Sequence, residues 1–155
     1  MAVEIERKFL VVQEKLPPLH NGELIFQSYV PTLNSSTVRV RLCGATAFLT
    51  LKGPTHGISR AEFEYPIPAV DAHDMLTRLC SPGAIEKTRY KVLNDGMVWE
   101  IDVFAGVNKG LIIAEIELES ETQAFKRPEW IGAEVSADLR YSNQSLMKTP
   151  WSTWR

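Results

Sequence analysis

Val3-Glu4-Ile5-Glu6-Arg7-Lys8-Phe9-Leu10-Val11 places Val3, Ile5, Phe9 and Val11 on one parity and Glu4, Glu6 and Lys8 on the other. Successive side chains of a strand point to opposite faces, so a period of two over this length predicts a strand with one apolar and one charged face. Arg7 is the exception on the apolar parity. Working outward, the pattern returns. Val38, Val40 and Leu42 alternate with Arg39 and Arg41, and Leu49 and Leu51 with Thr50 and Lys52. Ala61, Phe63 and Tyr65 alternate with Arg60, Glu62 and Glu64. Trp99, Ile101 and Val103 alternate with Glu100 and Asp102, and Ala114, Ile116 and Leu118 with Glu115, Glu117 and Glu119. Two more strand-like stretches are Glu23 to Val30, with Ile25, Gln27 and Tyr29 on one parity, and the stretch carrying Lys87, Arg89 and Lys91.

About eight strands result, separated by turn signals at Asn21-Gly22, Cys43-Gly44, Gly53-Pro54 and Asp95-Gly96. Asp95-Gly96 is the pair that a type I′ hairpin turn selects. Helical spacing predicts two helices, Asp71 to Leu79, ended by Ser81-Pro82-Gly83, and Asp138 to Lys148, with Lys126-Arg127-Pro128 as a loop before the second.

At 155 residues and 45% apolar, the chain can bury one core, and one domain over residues 1–155 is expected. Its apolar runs are too short to span a membrane. The charged opening, Glu4 to Lys8, is no secretory signal. Cys43 and Cys80 form neither a disulfide framework nor a metal-ligand spacing, which fits a reduced, cytoplasmic protein. Seventeen Lys and Arg against 19 Asp and Glu give a net charge of -2, so no attraction to nucleic acid or anionic membrane is expected.

Alternation alone fits an antiparallel sheet with a wet outer face. The charged faces here carry few Ser, Thr, Asn or Gln, however, and their charges are sorted by sign. Arg39, Arg41, Lys52, Lys87 and Arg89 fill some strands, while Glu115, Glu117 and Glu119 fill another. Like charges crowded on one face repel, and such a run makes sense when cations sit among the carboxylates. A closed sheet can turn its polar face inward and leave the apolar face for helices to cover. The expectation is therefore an α+β protein, an eight-stranded antiparallel barrel with a charged interior, flanked by a few helices.

The motifs support a closer reading. Glu4-Ile5-Glu6-Arg7-Lys8 reproduces a Glu-x-Glu-x-Lys signature at the N-terminus. Arg39-Val40-Arg41, Thr50-Leu51-Lys52, Arg60-Ala61-Glu62-Phe63-Glu64, Lys87-Thr88-Arg89-Tyr90, Glu100-Ile101-Asp102, Glu115-Ile116-Glu117-Leu118-Glu119 and Tyr141-Ser142-Asn143 follow in order. Together they resemble the CYTH superfamily, the triphosphate tunnel metalloenzymes, in its short stand-alone bacterial form. That resemblance implies a tunnel that binds a triphosphate and a divalent metal. Its known activities include inorganic triphosphatase, thiamine triphosphatase, RNA 5′-triphosphatase and adenylate cyclase.

Under this resemblance Lys8, Arg39, Arg41, Lys52, Arg60 and Arg89 are the candidate phosphate ligands, Arg forks suiting paired oxygens and Lys acting as point charges. Arg60 begins its strand and is the weaker member. Oxygen ligands without a Cys/His cluster call for a hard cation, Mg²⁺ or Mn²⁺. Glu4, Glu6, Glu115 and Glu117 are its candidate ligands, with Asp102 and Glu119 as further ones. His20, His56 and His73 stand apart from these strands. For the base, the resemblance implies a Tyr29–Lys87 pair, and Glu62 or Glu64 is the competing choice for positioning the water. The expected partner is a small-molecule triphosphate, and the sequence leaves room for a homodimer. Hydrolysis of inorganic triphosphate leads. Adenylate cyclase and a non-catalytic polyphosphate- or nucleotide-binding module are the alternatives.

Overall fold

The computed structural model describes residues 2–154. Its strands are β1 (Val3–Val11), β2 (Glu23–Val30), β3 (Thr37–Cys43), β4 (Thr46–Lys52), β5 (Ser59–Ile67), β6 (Ile85–Asn94), β7 (Met97–Phe104), β8 (Ile112–Glu117) and β9 (Ile131–Glu134). Helix α1 (Ala69–Arg78) follows β5, and α2 (Asn143–Lys148) lies near the C-terminus. The strands run β5-β4-β3-β2-β6-β7-β8-β1, and β1 pairs back onto β5, so eight antiparallel strands close into a barrel. The β6–β7 hairpin turns at Asp95 and Gly96, with φ of 52° and 76°, the conformation a type I′ turn requires.

One strand beyond the barrel went unforeseen. β1 offers β8 one edge and shares the other between two partners, Val3 to Ile5 meeting β5 and Phe9 to Val11 meeting β9. Between them, the Lys8 amide donates to Ser136 Oγ at 2.9 Å. β9 also accounts for Arg7. Its guanidinium bonds Glu134 at 2.6 Å on the outer face and lies 5.0 Å from the centre of the Phe125 ring, so its charge is satisfied among apolar neighbours.

The apolar parity packs outside the barrel wall. Phe9, Trp99, Ile101, Ala114 and Ile116 form a cluster capped by Phe125 and Trp130 from the crossing between β8 and β9. Trp99 is fully buried, edge-on to Phe9 at 5.6 Å, Phe125 at 5.7 Å and Trp130 at 5.6 Å. A second cluster sets Ala72, Met75 and Leu76 of α1 on Val40, Ala47 and Leu49.

A third cluster stops one end of the barrel. Ile85, Phe104 and Ile113 share the parity of the inner charges, and Leu146 of α2 and Trp151 close over them. Asn108 fastens this plug, donating to the Leu146 carbonyl and accepting from the Trp151 amide at 2.8 Å. The second helix is shorter than its spacing predicts. Leu139–Tyr141 forms one 3₁₀ turn, Ser142 is extended at φ -66° and ψ 144°, and its Oγ caps α2 by accepting from the Ser145 amide.

Candidate active site

The inner parity lines a chamber of about 200 Å³ whose side chains are all charged except Asn143. One wall is cationic: Arg39 and Arg41 from β3, Lys52 from β4 and Arg89 from β6. The facing wall carries Glu4 and Glu6 from β1 with Glu115 and Glu117 from β8. Glu62 and Glu64 of β5 and Glu100 of β7 complete the ring. Every strand of this arrangement keeps its opposite parity in a packed apolar cluster or on the outer surface, which is why the charges cannot turn outward without losing core contacts.

The cationic wall is incompletely neutralised. Lys52 Nζ reaches Glu4 at 2.9 Å and Glu62 at 3.3 Å, and Arg39 reaches Glu64 at 3.2 Å. Arg41, also buried, donates from Nε to the neutral Gln27 Oε1 at 2.7 Å and has no carboxylate partner among the described residues. Burial, then Arg39 and Arg89 beside it, push Arg41 down to about 10. Arg39 Nε is buried without an acceptor. Arg41 thus lines a chamber wide enough for a small anion with its charge unanswered by any carboxylate, and Arg39 beside it keeps one buried donor without an acceptor.

The acidic wall has the complementary imbalance. Glu6 lies directly opposite Glu117, and Glu100 opposite Glu115. Burial, then Glu115 and Glu4, raise Glu6 well above the ordinary carboxylate range. Burial opposes the charge of Glu115, yet Lys8 and Arg89 hold it down to about 2. Among the described residues no three carboxylate, imidazole or thiol groups already converge on one point. This oxygen-only wall suits a hard cation that takes few carboxylates and fills its shell with water and phosphate oxygens.

Below the chamber lies a buried knot. Lys87 donates to Asp102 at 2.7 Å, and Arg89 grips both Asp102 oxygens at 2.8 and 2.9 Å. Asp102 falls below its ordinary range, since Lys87 and Arg89 outweigh the cost of burial, while burial brings Lys87 down to about 8. The Tyr29 hydroxyl accepts from Gln27 Nε2 at 3.0 Å, and Lys87 turns instead to Asp102 and Asn143.

Lys8 sits at a side opening where the β1–β5 pairing ends, its ammonium 3.9 Å from Glu115. Arg60 lines the same opening rather than the chamber, donating to the Gly53 carbonyl and Thr37 Oγ1. Glu119 lies past the end of β8, exposed on the outer rim near Lys91 and Gln123. At the opposite mouth, Ile25, Phe48, His20 and Lys91 flank a wider opening of about 480 Å³. Sequence reasoning gave Asn143 no role, although its motif was visible. The pairing of Gln27 with both Tyr29 and Arg41 was also missed, because a lone Gln on the inner parity carries no charge signal.

The model for the CYTH domain matches residues 2–149 of this chain. The chain belongs to the CYTH family. An inorganic triphosphatase of Acetivibrio thermocellus is 45% identical to this CYTH protein over 155 residues, covering 100% of the chain and 99% of that relative. An inorganic triphosphatase of Nitrosomonas europaea is 43% identical over 147 residues, 92% of the chain and 95% of the relative. Among solved structures, the crystal structure of an inorganic triphosphatase superposes with a TM-score of 0.67 at 38% identity, covering 95% of each chain. The CYTH barrel therefore agrees with known structures over nearly its whole length.

Proposed function

We propose that this CYTH protein hydrolyses inorganic triphosphate to pyrophosphate and phosphate with Mg²⁺ or Mn²⁺. The observation that carries the proposal is Arg41, a buried guanidinium on the chamber wall that meets no carboxylate among the described residues. Buried charges are ordinarily paired, and a polyanion in the chamber would pair this one. The names of the two bacterial relatives support the same substrate.

In this reading Arg39, Arg41, Lys52 and Arg89 bind the phosphate oxygens, with Lys8 and Lys87 reaching from the plugged side. Glu4, Glu6, Glu115 and Glu117 would hold the metal, which supplies charge neutralisation and helps orient water. Asp102 keeps Lys87 and Arg89 in place, Arg60 guards the side opening, and Glu119 lies at the rim. Water attacks a terminal phosphorus, the bridging P–O bond breaks, and pyrophosphate leaves with the bond's electron pair. Tyr29, as the phenolate with its own proton already released to solvent, takes the water's proton on the oxygen to which Gln27 Nε2 donates. Lys87 lies on β6, the strand paired with β2. Glu62 and Glu64 hold Lys52 and Arg39 toward the substrate.

A panel of triphosphate, ATP, thiamine triphosphate and long polyphosphate, each with Mg²⁺ or Mn²⁺, tests the function. Phosphate and pyrophosphate in equal amounts from triphosphate are expected. Cyclic AMP from ATP would install a cyclase instead, and binding without turnover a sensor. Tyr29→Phe is expected to lower kcat more than tenfold with little change in KM; an unchanged kcat moves the base to Glu62 or Glu64. No helix among the described residues is long and apolar enough to cross a membrane, which is compatible with a cytoplasmic site of action.

A further inference from the structure

The plug contributes one side chain to the chamber lining, Asn143 at the first position of α2. Its Oδ1 lies 3.2 Å from Lys87 Nζ. An ammonium only donates, so the amide must turn its oxygen to Lys87, and Nδ2 then faces the other way. No group among the described residues accepts from Nδ2. The backbone here is well held: Leu146 is fully buried, Asn108 ties it to Trp151, and the Tyr141 carbonyl accepts from Lys8 Nζ at 3.4 Å. The tail thus touches both cations on the plugged side and points one neutral donor into a chamber of charges.

We propose that Asn143 binds substrate, its Nδ2 donating to a phosphate oxygen while Oδ1 keeps Lys87 aimed at the same anion. The inference rests on the triphosphate reading above and adds a substrate contact from outside the barrel strands. A neutral donor at this place has a definite use. It binds an oxygen without adding to the repulsion among Arg39, Arg41 and Arg89, and it sets no second carboxylate beside Lys87, which already pairs with Asp102.

Two substitutions separate this role from a merely structural one. N143D keeps an acceptor for Lys87, and a stronger one, but sets a carboxylate where the phosphate oxygen would sit. N143A removes both contacts. Inorganic triphosphate is titrated calorimetrically into the full chain with EDTA present, and kcat and KM are then measured with Mg²⁺. N143D should weaken binding about tenfold or more, with unchanged or higher thermal stability, and N143A should weaken it less than N143D. Binding by N143D equal to or tighter than the parent overturns the proposal, because Asn143 would then serve Lys87 alone. A parent that binds triphosphate without hydrolysing it overturns the hydrolase reading while the titrations still decide on Asn143. A parent that neither binds triphosphate nor hydrolyses it with Mg²⁺ overturns both, and one that hydrolyses it without metal-free binding leaves the KM values to decide on Asn143 by the same signs.

Discussion

Arg41 shows how a single residue can work against the fold and for the site. Its guanidinium is buried, crowded by two like charges and answered by a neutral amide. Arg41→Met should therefore leave Tm unchanged or raised while weakening triphosphate binding by roughly ten- to a hundredfold, the range for a charge-assisted contact. Thermal denaturation and calorimetry on the same variant check both signs. Glu6 makes the matching case on the acidic wall. Glu6→Gln relieves its conflict with Glu4, Glu115 and Glu117, so folding should be retained while turnover at any Mg²⁺ concentration drops by more than tenfold. The charged members of this site were legible in the sequence because parity announces them. Asn143 and Gln27 were not, since a neutral amide is equally at home on a surface, and only the folded arrangement brings Asn143 from the tail to Lys87.

At the level of elements, the strands were legible for a physical reason. Both faces of each strand have a strict demand, charge inside and hydrocarbon outside, so alternation persists along nearly every one. β9 has four residues and borrows its place from β1, leaving too short a pattern to read. The second helix was overread because Leu139 and Leu146 share a helical spacing, whereas Ser142 breaks the segment to form a cap. Trp99 ties β7 to the crossing that carries Phe125 and Trp130. Trp99→Ala should cost about 3–5 kcal/mol, the scale for truncating a buried aromatic, and chemical denaturation will measure it. The chamber lies on the other face of the same strand, so variants that remain folded should keep their KM for triphosphate.

For the whole molecule, closure of the tail on β1 carries a pH signature. A hydrogen bond from Arg7, helped by Ser136, holds Glu134 down to about 2 against an ordinary value of 4.5. A depressed carboxylate contributes stability that is present above its unfolded pKa and lost as pH falls through the folded one. The Tm difference between the parent and Glu134→Gln should therefore be full above about pH 5 and close between 4.5 and 2. The pair is solvent-facing, so the difference should also shrink in high salt. A gap that persists at pH 2 would place the contribution elsewhere.

The alternating barrel wall also divides the kinds of change this gene can absorb. Packing and chemistry are interleaved one residue apart, and a substitution touches only one of them. A codon insertion or deletion within β1 or β8 shifts both at once, sending Glu6 or Glu115 into the hydrocarbon layer and Phe9 or Ile116 into the chamber. A library scored separately for folding and for activity should hence show inner-parity replacements that lose activity but keep the fold, and outer-parity replacements that lose stability but spare the chamber, beside loss of both for every single-codon length change in these strands. New ligand preferences can arise in such a protein by point mutation, with its reading frame of faces left intact.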